Sequence, residues 1–251
     1  MLSPRLYCLL TLLLLPATTY AAPERRLVTD VSRGLIELGY NFDGADLLIY
    51  GAIAPSLDPA KNAAVVVVVQ GPPEPVLIRR KRRQAGIWLN AESLSLPAAP
   101  GFYALASSAP LTQVAPPALR DSLELGPDRL ALDLPPGASG ADWRNGFIRN
   151  MARMGLYRQR AGAVRIMDGA LFRADIRLPA NVPVGDFTAR ALLFEDGRLT
   201  AARSLPVRVD KIGFERRIYN LAHDRPLVYG LLAALIALAA GWGAGTLTQR
   251  R

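Results

Sequence analysis

The chain has one cysteine, Cys8, one histidine, His223, and three lysines, Lys61, Lys81 and Lys211, in 251 residues. Each scarcity removes a class of chemistry. A lone cysteine excludes an intrachain disulfide and a multi-thiolate metal site. A lone histidine next to the C-terminal apolar segment excludes two-histidine metal motifs and a Ser-His-Asp triad within the body of the chain. None of the lysines lies three residues after a serine, and no glycine-rich phosphate loop precedes any of them. Gly137-Ala138-Ser139-Gly140 lacks the spacing of a nucleophile elbow. The residues therefore predict no catalytic site, no metal and no cofactor, and the expectation is that the chain is not an enzyme.

What is present begins with two apolar segments at opposite ends. Leu6 to Leu15 follows Arg5 and leads into small residues, the layout of a secretory signal. Thr19-Tyr20-Ala21 places small residues at both determining positions of a cleavage site, so cleavage is expected after Ala21. Removal of those 21 of 251 residues takes away Arg5 and Cys8, which lowers the formal charge of +9 by one and leaves no cysteine. The second segment, Leu227 to Leu247, is free of charge and bracketed by Arg225 and by Arg250-Arg251. Its length suits a membrane-spanning helix, and the trailing arginines put the tail in the cytoplasm. The sequence thus predicts a single-pass membrane protein with its body outside the cytoplasm. The lipid bilayer is the first expected partner, and nucleic acid is an improbable one in that compartment despite the basic charge.

Between the ends lie short β-branched and aromatic runs separated by Gly, Pro and Asp. Leu35–Leu38, Leu47–Tyr50, Val65–Val69, Val76–Ile78, Gly86–Leu89 and Phe102–Leu105 read as strands, with the five-valine run central and buried on both faces. Prolines 100, 110, 116 and 117 mark a boundary near residue 112. Trp143, Phe147, Met151 and Met154 then share a helical face, with Asp142 as N-cap and Gly155 as stop, predicting a helix over 142–155. Phe172, Ala174, Ile176 and Leu178 alternate with charged residues as a strand does, and Asp196-Gly197 reads as the turn of a hairpin. The fold expected is mainly β, with two immunoglobulin-like β-sandwich domains. These occupy 22–111 and 112–210, the second carrying the helix. A juxtamembrane amphipathic segment, 211–225, a transmembrane helix, 226–248, and a cytoplasmic tail, 249–251, complete the plan.

Two patterns are candidate contact sites. Arg79-Arg80-Lys81-Arg82-Arg83 is a run of five cations suited to an anionic ligand, a lipid headgroup or an acidic partner face, and equally suited to a solvated hairpin tip. Ala233, Ala237, Gly241 and Gly245 recur every fourth residue, so the apolar helix has one face of small residues on which a second helix can pack. The occupant would be another copy of the chain or another membrane protein. Carboxylates offer less. Asp43 and Asp46 flank a turn without a full calcium-loop pattern, and Asp121, Glu124 and Asp128 are scattered acids, so a carboxylate-based hydrolase is the third alternative.

Several landmarks resemble those of a known family. They are Gly86-Ile87-Trp88-Leu89-Asn90 after the basic run, Leu171-Phe172-Arg173-Ala174, and Leu178-Pro179-Ala180-Asn181-Val182-Pro183-Val184-Gly185. The ending Val209-Asp210-Lys211-Ile212-Gly213-Phe214-Glu215-Arg216, followed by Pro226 and Tyr229-Gly230, adds to them. Together they resemble a family of uncharacterised single-pass transmembrane proteins of alphaproteobacteria. The resemblance transfers no catalytic residues. It implies an accessory role beside a permease, of the sulfite-exporter type in the family's usual setting. The leading expectation is a membrane-anchored periplasmic accessory protein for an inner-membrane partner such as a transporter. A tethered binding module for an anionic ligand or envelope component stands second.

Overall fold

A computed structural model describes residues 25–39, 42–57, 62–84, 86–136, 138–211 and 221–248; the side chains of 84, 88, 138, 139, 240 and 242–248 lie outside that description. Strands hold 52% of the residues, so the chain is mainly β, as its composition predicts. Strands β1 (Arg26–Val31), β3 (Gly44–Ala54), β10 (Leu171–Pro179) and β9 (Val164–Met167) form an antiparallel sheet in the order β1-β3-β10-β9. A larger sheet runs β2 (Leu35–Leu38), β12 (Arg198–Lys211), β11 (Gly185–Glu195), β4 (Ala63–Gln70), β7 (Tyr103–Ser107) and β8 (Tyr157–Ala161). It is antiparallel except at its two edges, where β2 and β8 run parallel to their neighbours. A third, two-stranded ribbon consists of β5 (Pro73–Gln84) and β6 (Ile87–Pro100).

The valine run becomes β4, and Val65 to Val69 are each 0% exposed. A strand flanked on both sides and covered on both faces needs no polar alternation, which is why the run is continuous. β10 does the opposite, with Phe172, Ala174, Ile176 and Leu178 buried and Arg173, Asp175 and Arg177 exposed. The hairpin between β11 and β12 turns at Asp196 and Gly197, whose φ values of 50° and 76° are the pair a tight type I′ turn requires.

The boundary expected near 111/112 does not separate two cores. β3 pairs with β10 from Gly44 to Ala52, and β4 pairs with β11 along its whole length. Both sheets therefore draw strands from 22–111 and from 112–210, and one cluster of buried side chains joins Leu27 and Ile49 to Phe172 and Leu193. Pro100 ends β6, and Pro110, Pro116 and Pro117 cap or open two short helices, α1 (Leu111–Val114) and α2 (Pro117–Ser122), rather than forming a linker.

The helix expected over 142–155 is α3 (Ala138–Arg153), and it starts four residues before Asp142. Its first turn lies against the carbonyl of Pro135, which a Cβ at Gly140 would approach to 1.9 Å, so glycine is required there. Its end conforms to expectation. Gly155 takes φ 74°, its N–H donates to the Ala152 carbonyl, and the Leu156 N–H donates to the Met151 carbonyl. That pair of bonds is the Schellman arrangement, and it satisfies two carbonyls of the last turn.

The expected signal peptide 1–21, residues 212–220 of the amphipathic segment and the tail 249–251 lie outside the described residues. Residues 221–224, which include His223, form one helical turn. The last helix, α4 (Pro226–Thr248), has 23 residues and no charged side chain. Among the described residues no helix is long and apolar enough to cross a membrane.

Candidate functional site

The ribbon leaves the larger sheet through a glycine-proline hinge. The Gly71 N–H donates to the Phe102 carbonyl at 2.8 Å, and the Gly101 N–H donates to the Pro72 carbonyl at 2.9 Å. Pro72 also lies against Gly185, which pairs with Val209 near the end of β12. The ribbon root and the point from which the chain continues toward α4 thus share one end of the sheet.

Strand alternation decides which cations of the basic run go where. Val76, Ile78 and Arg80 are half-buried on one face of β5, opposite Leu96, Leu94 and Glu92 of β6. Leu77, Arg79 and Lys81 point away and are exposed. Arg80 therefore occupies an apolar row and reaches α3. Its guanidinium carbon stands 4.5 Å from the centroid of the Trp143 ring. Its nitrogens lie 3.5 Å from the Glu92 carboxylate and 3.6 Å from that of Asp142. Asp142 thus serves as the anchor point of the ribbon and not as a helix cap. Beyond a register shift after Arg80, Arg82 lies 3.7 Å from Glu92, and Arg83 Nε donates to the Gly86 carbonyl at 3.4 Å across the turn.

α3 meets the ribbon with a face adjacent to its buried one. Trp143, Phe147 and Met151 are buried, as their spacing predicts, whereas Met154 is 42% exposed. Phe147 packs edge-on against Tyr157 at 5.6 Å. Gly146, Arg149, Asn150 and Arg153 face the ribbon, and between the two elements lies a cleft of 520 Å³. Five cations line it, Arg79, Arg80, Lys81, Arg149 and Arg153, against one acid, Asp142. Of the run singled out in the sequence, the structure brings Arg79, Arg80 and Lys81 to this cleft and leaves Arg82 and Arg83 at the ribbon tip. Sequence reasoning missed Arg149, Asn150 and Arg153. Their signal was the spacing of Gly146, Arg149, Asn150 and Arg153 on one helical face beside the apolar stripe.

Behind the cleft two tyrosines fix the sheet edge. Tyr157 donates its hydroxyl to the Pro100 carbonyl at 2.7 Å, and burial raises its pKa. Tyr103 donates to the Glu124 carbonyl at 2.7 Å and accepts the Gly126 N–H at 2.9 Å. Burial pushes the Tyr103 phenol up to about 12, against a smaller opposing effect of the Gly126 hydrogen bond.

The acids do not converge. Among the described residues no three of His, Cys, Asp and Glu gather as a metal site would require. Asp46 pairs with Arg177 at 3.1 Å, so a guanidinium sits where a calcium ion would have to bind. Asp121 is paired with Arg129, and Glu124 accepts the Ala131 N–H at 3.1 Å. On α4, Ala233, Ala237 and Gly241 are exposed, like every described side chain of the helix from 226 onward; the surroundings of Gly245 lie outside the description.

Over residues 26–250 the chain matches the sequence model of a family described as "Putative transmembrane protein (Alph_Pro_TM)". No curated protein matches it, and no solved structure does.

Proposed function

The chain belongs to that family of transmembrane proteins, and from this premise we propose that it is a membrane-anchored periplasmic accessory protein that holds its β-rich body beside an inner-membrane partner such as a transporter. The observation that carries the reading is α4. It follows the body as 23 residues without charge, and its described side chains are all exposed. A helix that is apolar on every side is stable only when buried in protein or in lipid. Our reading places it across the bilayer once, with the body outside, Arg250 and Arg251 in the cytoplasm and the first 21 residues removed as a signal peptide. The small residues at 233, 237, 241 and 245 supply a face for a second helix. A body of two packed sheets suits the sandwich layout of immunoglobulin-like recognition domains, which supports an interaction role.

The test is crosslinking in native membranes followed by purification and mass spectrometry, with the double variant Gly241→Leu/Gly245→Leu beside the wild type. The expected result is a membrane protein recovered in fixed ratio and lost in the variant. Recovery of the protein alone from both samples would refute the accessory role. A second reading, a tethered binder of an anionic ligand, is favoured by the five cations of the ribbon cleft.

A further inference from the structure

We propose that the cleft between β5 and α3 binds a phosphate group carried on a larger molecule, with Arg149 and Arg153 as its principal ligands and Arg79 and Lys81 adding positive charge at its rim. This deepens the binding reading and does not depend on a transporter partner.

The first support is charge. Of the five cations lining the cleft, Arg80 is already committed to Glu92, Asp142 and the Trp143 ring. The remaining four have no acidic side chain within 4 Å among the described residues. Arg149 and Arg153 present like charges to one space with Arg79 and Lys81 at its rim, and an anion there turns that repulsion into attraction.

The second support is the kind of cation. Arg149 and Arg153 stand one turn apart on α3, so two guanidinium forks can close on one tetrahedral anion from the same side. A guanidinium matches phosphate oxygens in pairs and is more weakly hydrated than an ammonium, which makes arginine the better residue for stripping water from a phosphate. Asn150, between them, contributes a neutral donor to the same wall.

The third support is space. A cleft of 520 Å³ falls in the range of small-molecule sites, ~300–1,000 Å³, and exceeds what a bare phosphate fills. Gly146 borders that space: a Cβ there would meet nothing within 4 Å. Val76, Ile78, Met151 and Met154 give the same cleft apolar walls. Cations beside apolar walls suit a phosphate attached to carbon, as in a phospholipid headgroup or a soluble phosphate ester.

Binding is tested on the full chain in a neutral detergent, by calorimetry, at ionic strength matched with chloride. The probes are inorganic phosphate, glycerol 3-phosphate and short-chain phosphatidylglycerol. Two variants accompany the wild type. Arg149→Gln/Arg153→Gln removes the forks, and Gly146→Leu fills the space while leaving every charge in place. The expected result is saturable binding of the phosphate esters, at least tenfold weaker in each variant. If the lipid exceeds glycerol 3-phosphate tenfold, the ligand is a lipid headgroup; equal affinities mean a soluble ester, and both support the site. Three outcomes overturn it: no binding above chloride, equal binding by wild type and both variants, or binding of a polyglutamate peptide without binding of any phosphate. None of these bears on the crosslinking result, so the two proposals fail separately.

Discussion

β4 and β5 are consecutive strands, separated only by Gly71 and Pro72, and they make opposite use of the same conformation. β4 has its five valines 0% exposed at the centre of the larger sheet, whereas the described side chains of β5 include no buried one. Both are strand-forming by composition, so backbone propensity does not separate them. The cations do. Desolvating five adjacent cationic side chains would cost far more than their strand pairing returns. The charged tip of the ribbon is therefore held off the core, while Leu96 and Ala99 of β6 join the core, Val76, Ile78 and Leu94 pack against it, and Arg80 reaches α3. The core strand is committed to stability, and the ribbon strand is left available for contact.

That contrast is broken most severely by a cavity in the core. Phe194 is 0% exposed in β11, next to β4. Phe194→Ala should cost about 3–5 kcal/mol in urea unfolding, because neighbouring side chains only partly close the space left behind. Leu77→Ala in the ribbon, at a residue 55% exposed, should stay within about 0.5 kcal/mol. Comparable losses at the two sites would mean that the outward row of β5 also bears on the core.

High pH should act on the sheet and spare the ribbon. Tyr103 is raised from its ordinary 10 to about 12, and Tyr157 is raised in the same direction. A raised folded-state pKa means that the folded chain holds the proton more tightly than the unfolded one. The stabilisation is complete below pH 10 and is lost as pH climbs through the folded value. At ~1.4 kcal/mol per pKa unit, the loss attributable to Tyr103 is on the order of 3 kcal/mol. The ribbon contains no tyrosine. Denaturant unfolding between pH 9 and 12 should therefore show falling stability that Tyr103→Phe flattens; an unchanged slope in that variant would reject burial as the cause.

The attachment point comes next. Arg80→Ala removes a stacking contact worth roughly 0.5–1 kcal/mol. It also removes two ion pairs with Glu92 and Asp142, which are partly exposed and hence worth little after screening. A total near 1 kcal/mol is expected. Hydrogen exchange should quicken in Val76 to Lys81 but not in Val65 to Val69. Uniform quickening would show that Arg80 supports the whole fold.

How much of this was legible before the structure depends on the reach of each signal. The valine run, the alternation from Phe172 to Leu178 and the Asp196-Gly197 turn are local, and each became the element its pattern predicts. Strand pairing is not local. β3 meets β10 more than a hundred residues away, and nothing in the periodicity of either names its partner, so a proline cluster was read as a boundary between domains. β8, Tyr157–Ala161, was missed because only its first residue is buried, which leaves no alternation to detect. The cleft was half legible. The basic run was visible as charge, but Arg149 and Arg153 lie off the apolar stripe of an amphipathic helix, where charge is the ordinary solvated pattern. The packing of the ribbon beside α3, with Arg80 on Trp143, turns that side toward the ribbon.

The smallest effect expected is also the one that separates the two uses of β5 most cleanly. Arg79 and Lys81 are exposed, belong to the outward row and have no acidic partner among the described residues, and they border the cleft whose other wall carries Arg149 and Arg153. If the outward row serves contact and not stability, Arg79→Gln/Lys81→Gln should leave the fold unharmed. It should even raise stability by a few tenths of a kcal/mol at low salt, because unfavourable like-charge proximity is removed. The gain should vanish at 1 M salt, where the screening length falls to about 3 Å. A loss that persists at high salt would mean that the two stems pack against α3 through their methylenes, in which case the outward row belongs to the fold.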